Sequence, residues 1–108
     1  GANQGKITVR RLDRVRVVGR STPVQLYNVL GFTEELTKLE LDELEAFHKA
    51  LDLYLLKDFT QAGKMFVKAS KMLPEGDPTA LIFAERCKNY IKKGVSDDWD
   101  GVMNMTSK

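Results

Sequence analysis

The sequence predicts an α+β fold that is mainly α: an N-terminal β-hairpin, then a three-helix bundle, then an extended C-terminal tail. Three observations predict it. β-branched residues are dense from Ile7 to Val18 and alternate with arginine. Apolar residues recur at spacings of three and four from Leu44 onward. The charge is also divided along the chain: residues 1–30 carry six basic groups against Asp13 alone, a net +5, whereas residues 31–108 carry eleven basic and fourteen acidic groups, a net −3. The overall charge of +2 thus conceals a join between segments of different character.

The hairpin comes first. Val15 and Val17 alternate with Arg14, Arg16 and Val18, the period-2 pattern of a half-buried strand. Gly19, Ser21 and Pro23 punctuate that run, and Val24 to Leu30 repeats its character, so the pair forms an antiparallel hairpin closed by residues 19–23. A lone two-stranded hairpin is marginal in water. Val15, Val17 and Leu26 are therefore expected to seek cover against the helices or against a second copy.

The helices follow. Thr37 with Glu40 three residues later matches a capping box, and Glu34 to Glu45 holds six acids and one lysine, which suits the positive end of a helix dipole. Leu44, Phe47, Leu51 and Tyr54 form the first apolar stripe, widened by Leu36, Leu53 and Leu56. Asp58, with Gln61 in the reciprocal position, caps a second helix that Pro74 and Gly76 end. Asp77-Pro78 is an N-cap and first-turn pair for a third helix. Its stripe is Leu81, Phe83, Cys87, Tyr90 and Ile91, and Lys92, Lys93 and Gly94 close it. From Val95 to Lys108 helical periodicity is lost, and Val102 to Met105 reads as extended.

Composition narrows the function classes. With 43% apolar and 30% charged residues the chain is neither disordered nor collagen-like, and a chain of 108 residues buries roughly two-thirds of its extended surface. No apolar run approaches the roughly 20 residues that cross a bilayer, and Gly1 to Lys6 is no secretory signal, so no membrane contact is expected. The single cysteine, Cys87, excludes an intramolecular disulfide and a cysteine-rich zinc site, in keeping with a cytoplasmic setting.

An enzyme needs groups that converge. His48 has no second histidine or cysteine near it in sequence and reads as a helix-surface or packing residue rather than a metal ligand. Cys87 lies on an apolar stripe with no base indicated, which favours an inert buried thiol over a nucleophile. Asp97, Asp98 and Asp100 lack the ligand spacing and closing glutamate of a calcium loop and read as solvated or capping carboxylates. The arginines of the first strand suit phosphates. No aromatic occurs in residues 1–26 to stack bases, and the acidic segment repels polyanions, so no nucleic-acid partner is expected. Arginines that blunt strand-to-strand aggregation account for the pattern equally well.

The run from Leu12 through Asp13-Arg14-Val15-Arg16-Val17-Val18-Gly19-Arg20-Ser21-Thr22-Pro23-Val24 to Leu30 resembles the end of the catalytic domain of class III adenylate and guanylate cyclases. There a strand turns through glycine, passes a Pro-Val loop and returns as a strand ending in an aromatic and a short apolar run. The family's lysine before that glycine is Val18 here, so Arg20 is left as the residue placed in the nucleotide-phosphate vicinity. The metal-binding aspartates and the transition-state asparagine and arginine lie upstream in the family, and residues 1–11 do not contain them. The resemblance implies no catalytic residue, metal ligand or cofactor in this chain, and Mg or Mn for the cyclase of which it would be part.

The helices resemble a tetratricopeptide (TPR) repeat, a helical hairpin of about 34 residues. Ala50 fits the small position of the first helix and Phe59 the aromatic at the turn. Ala62, Phe66 and Ala69 fit the small-large-small face of the second helix, and Pro74 the terminal proline. Ala46 stands where the pattern prefers tryptophan, and Lys57 where it often has glycine. The third helix resembles the start of a second repeat or a cap. Asp98-Trp99-Asp100-Gly101-Val102 followed by Met105-Thr106-Ser107-Lys108 resembles the closing segment of bacterial cyclases with such an extension, with Trp99 as tail anchor.

These resemblances run in the order of one polypeptide's C-terminal end. They imply a hairpin remnant of a catalytic domain over 1–31, a TPR-like module over 32–94 and a tail over 95–108 that packs on the module. The expected function is a non-catalytic structural, regulatory or dimer-supporting part of a nucleotide cyclase. The remainder of the catalytic domain is its partner, a homodimer through the hairpin is a further expectation, and an N-terminal region would provide any membrane anchor. The alternative is a TPR-like interaction module that binds a peptide or protein partner.

Overall fold

A computed structural model describes residues 5–19 and 21–104 of the chain and divides it into two compact units: residues up to Leu36 together with those from Asp98 onward, and Thr37–Asp97. The first unit is a three-stranded sheet of β1 (Ile7–Arg16), β2 (Val24–Phe32) and β3 (Val102–Asn104) in the order β2-β1-β3. β1 and β2 pair antiparallel, with the register interrupted between Thr8 and Val9 and between Arg11 and Arg14. At the second interruption Leu12 and Asp13 face Leu26 alone, a bulge that leaves backbone carbonyls off the ladder. Gln25 serves them: the two protons of its Nε2 are shared among the carbonyls of Leu12 at 3.0 Å, Asp13 at 3.3 Å and Leu26 at 2.9 Å.

The tail departs from expectation. Asp97 belongs with the helices, where Lys57 Nζ donates to its carbonyl at 3.2 Å, but the strand beyond it joins the hairpin. β3 runs parallel to β1, with Arg14 opposite Val102 and Arg16 opposite Asn104. The reason is the second edge of β1, whose N–H and C=O groups need partners once β2 has taken the first. Arg16 reinforces the arrangement, donating from Nε to the Ser21 carbonyl at 2.9 Å and from Nη1 to Asn104 Oδ1 at 2.8 Å.

A single 3₁₀ turn, Thr33–Glu35, leads to the second unit of α1 (Lys38–Leu55), α2 (Phe59–Met72) and α3 (Pro78–Lys93). Each start is capped by the residue its sequence indicates. Thr37 Oγ1 accepts from Glu40 N at 3.1 Å while Glu40 Oε1 accepts from Thr37 N at 2.9 Å. Asp58 Oδ1 accepts from Gln61 N, and Asp77 Oδ1 accepts from Thr79 N and Ala80 N, with Pro78 as the first helical residue. Buried Ser70 fixes the α2–α3 turn by accepting from Asp77 N at 2.8 Å. Gly76 is required there, because its φ of +78° is left-handed and a Cβ would stand 3.3 Å from Ser70 Oγ.

The core of this unit is aromatic. Phe83 of α3 lies 5.7 Å from Phe47, 5.3 Å from Tyr54 and 5.2 Å from Phe66, in edge-on and stacked arrangements that favour ring quadrupoles. Two expectations fail at its margin. Leu56 follows the last turn of α1 and is 76% exposed, so it does not widen the stripe. In α3 the buried set is Ala80, Phe83 and Cys87, while Leu81 and Ile91 are 47% and 56% exposed. They point along a flank that no fourth helix of this unit covers.

Candidate functional site

The sheet presents the first candidate surface. The pairs Ile7 with Phe32 and Val9 with Val29 stand on one face, and all four side chains are exposed. Val24 and Met103, each opposite Val15, add a second exposed apolar group. Val17 and Leu26, expected to find cover, are exposed as well, and Val15 is half-buried. The arginines are partly committed to the fold: Arg16 holds the turn and β3, and Arg10 Nη2 donates to Asn28 Oδ1 at 3.4 Å. Arg20, assigned to the nucleotide-phosphate vicinity, lies outside the described residues, as do Met105 to Lys108 of the closing motif.

The helical signature residues fall at one interface. Ala50, Ala62, Phe66 and Ala69 are fully buried and Phe59 nearly so, and the two phenylalanines meet α1 through Phe47–Phe66 at 5.4 Å and Tyr54–Phe59 at 5.9 Å. Pro74 is exposed in the turn after α2. Small residues let the helices approach closely and the rings fill the space that remains. Lys57, at the position where glycine is often found, adopts φ +68°. Trp99 is half-buried within the unit that contains the sheet.

The remaining reactive groups do not converge. Among the described residues no three His, Cys, Asp or Glu side chains lie close enough to share a metal ion. His48 is half-buried beside Phe47, with ring centroids 6.1 Å apart. Burial pushes the Cys87 thiol up to about 11, with Arg86 opposing the shift, so the thiolate is scarce at neutral pH. Burial also pushes the Tyr54 phenol up, aided by Tyr90 and opposed by Arg86.

Three residues organise these surfaces beyond what the sequence pattern indicates: Gln25 at the bulge, Ser70 at the α2–α3 turn and Phe83, whose place on the α3 stripe makes it the hub of the aromatic cluster. The spacing signal placed Phe83 on a stripe without marking its centrality. For Gln25 and Ser70 no local signal exists, because each acts on a backbone group whose position depends on another element.

Over 93 residues, 85% of its length, the chain is 30% identical to the terminal-differentiation-specific adenylate cyclase of Dictyostelium discoideum. The likeness is to part of an adenylate cyclase. It spans 4% of that protein's length. No family profile matches the chain, and no solved structure matches it. Among the described residues no helix is long and apolar enough to cross a membrane.

Proposed function

We propose that the chain is a non-catalytic part of a class III nucleotide cyclase, in which the last strands of the catalytic domain pass into a TPR-like helical module. The observation that carries this reading is the 30% identity to an adenylate cyclase across 85% of the chain, a share too large to be confined to either the strands or the helices. The exposed apolar side chains of β1 and β2 support it, since a sheet that continues into a larger catalytic sheet needs such residues for its interior. The metal-dependent ring closure of a nucleoside triphosphate, with Mg or Mn, belongs to residues elsewhere in the longer protein. The hairpin completes that domain, with Arg20 near the phosphates, and the helical module steadies or regulates it and supports the dimer. Trp99 anchors the tail.

The test is an assay of the longer protein beside this 108-residue chain. With Mg or Mn and a nucleoside triphosphate, the longer protein should release pyrophosphate and form a 3′,5′-cyclic nucleotide, the short chain should do neither, and truncation after Gly31 should lower turnover or dimerisation. A longer protein without two metal-ligand aspartates and an Asn-x-x-x-Arg motif overturns the reading, as does one that has them and makes no cyclic nucleotide.

A further inference from the structure

The flank of α3 that holds Leu81 and Ile91 is one wall of a groove of about 700 Å³. The opposite wall is α2, through Phe59, Gly63 and Val67, and Ala84 completes the α3 side. The two helices come close at its floor, where a Cβ on Gly63 would lie 3.3 Å from Cys87 Cβ. The groove is therefore shallow at the centre, apolar along its length and bounded by two helices, the shape that accepts a third helix by its apolar stripe.

Charge says what kind of helix. α2 carries Lys64, Lys68 and Lys71 and no acid, and α3 carries Arg86, Lys88, Lys92 and Lys93 against Glu85 alone. Lys64 and Lys88 stand at the groove itself, one on each wall, with Glu85 as the opposing charge. Lys71 follows Lys64 by seven residues and Lys92 follows Lys88 by four, so both extend the same basic margins. The acids of the unit are instead concentrated on α1, in Glu40, Asp42, Glu43, Glu45 and Asp52.

We propose that the α2–α3 groove binds an acidic amphipathic α-helix of a partner protein, its apolar stripe on Val67, Leu81 and Ile91 and its carboxylates against Lys64 and Lys88. A second copy is the weaker occupant. The acidic helix this chain could offer is α1, and its stripe of Leu44, Phe47, Leu51 and Tyr54 is already buried in its own core. The inference is independent of the cyclase reading, because it rests on the groove and its margins alone.

The probes are two synthetic amphipathic helices of about 16 residues with one leucine stripe, flanked by glutamate in one and lysine in the other. Titrated into the 108-residue chain, the glutamate peptide should bind at least tenfold more tightly, weaken as salt rises, and shift the amides of Gly63, Ala84 and Ile91. Leu81→Glu should lower its affinity about tenfold or more, and the double variant Lys64→Glu, Lys88→Glu should reverse the preference between peptides. Both changes are on exposed or groove-lining side chains, and an unchanged circular dichroism spectrum verifies folding. Equal binding of both peptides, amide shifts confined to the sheet, absence of binding, or self-association that Leu81→Glu abolishes would each overturn the proposal.

Discussion

Among the described residues every buried apolar side chain of the core lies in α1, α2 or α3, whereas the sheet leaves Ile7, Val9, Val29 and Phe32 open to solvent. The two units meet the same physical demand in opposite ways. Three helices enclose a ring cluster and hold themselves together, with caps that satisfy their ends. Two long strands and a third of three residues form a ladder but no second layer, and a sheet gains most of its stability from what covers its faces. The helical unit therefore carries its own stability, while the sheet needs a surface from outside its own strands.

The helical core is most sensitive at Phe66. Its side chain is fully buried against Phe47, Tyr54 and Phe83, so Phe66→Ala is expected to cost about 3–5 kcal/mol in the helical unfolding transition. Val29 is 65% exposed in β2, and Val29→Ala should stay within about 0.5 kcal/mol. Urea titrations followed by helical circular dichroism measure both. Equal losses would mean that the sheet shares the helical core.

Alkali sharpens the same contrast. The thiol of Cys87 is raised from 9.0 to about 11 in the folded chain, so between those values the unfolded state has already lost a proton that the folded state keeps. Stability from this group is whole below pH 9 and falls as pH rises toward 11, and the raised Tyr54 phenol steepens the fall further up. Thiol labelling at pH 8 should be at least about 100-fold slower than in denaturant, because Cys87 is buried and reacts only on opening, and its raised pKa makes the thiolate scarcer still. Labelling as fast as an unfolded thiol's would show that the helical unit opens freely.

Much of the helical unit is legible in the sequence because its determinants are local. Thr37 and Glu40, Asp58, and Asp77 with Pro78 act within one turn, and the stripe from Leu44 to Tyr54 records one buried face. Where the structure departs from the sequence pattern, the cause lies in another element. Leu81 and Ile91 fit the period of α3 but sit on the flank that α2 does not cover, and Leu56 follows the period one step beyond its helix. The sheet is less legible still. The two register shifts arise in the pairing across the hairpin and the parallel pairing of Arg14 with Val102 depends on a strand distant in sequence, and no spacing announces either. Of the candidate surfaces, the arginine alternation was visible, but its use in tying Ser21 and Asn104 to β1 was not.

Within the sheet, Gln25 offers a smaller and more local test. Gln25→Ala removes the amide that serves the carbonyls of Leu12, Asp13 and Leu26, and each such bond contributes about 0.5–1.5 kcal/mol. Amide exchange of β1 and β2 is expected to quicken by about tenfold while the helical unfolding midpoint stays in place. A shifted helical midpoint would tie the two units into one cooperative transition.

Lys57 tests the helical unit where its sequence opposes its backbone. A left-handed conformation costs a residue with a Cβ about 1 kcal/mol or more, and Lys57 holds φ +68° between α1 and α2. The surrounding turn imposes that angle: Lys57 N donates to the Tyr54 carbonyl at 3.0 Å, Asp58 N to the Leu53 carbonyl at 2.9 Å, and the Asp58 cap starts α2 directly after it. Lys57→Gly removes the steric cost but also frees the unfolded chain and deletes the Nζ bond to the Asp97 carbonyl, an exposed contact of small worth. The balance is a gain of about 0.5 kcal/mol, read as a higher urea midpoint, with Lys57→Ala unchanged or slightly lower. Should glycine destabilise the unit as much as alanine, the Asp97 contact outweighs the backbone strain, and the helices depend on the segment that leads toward β3.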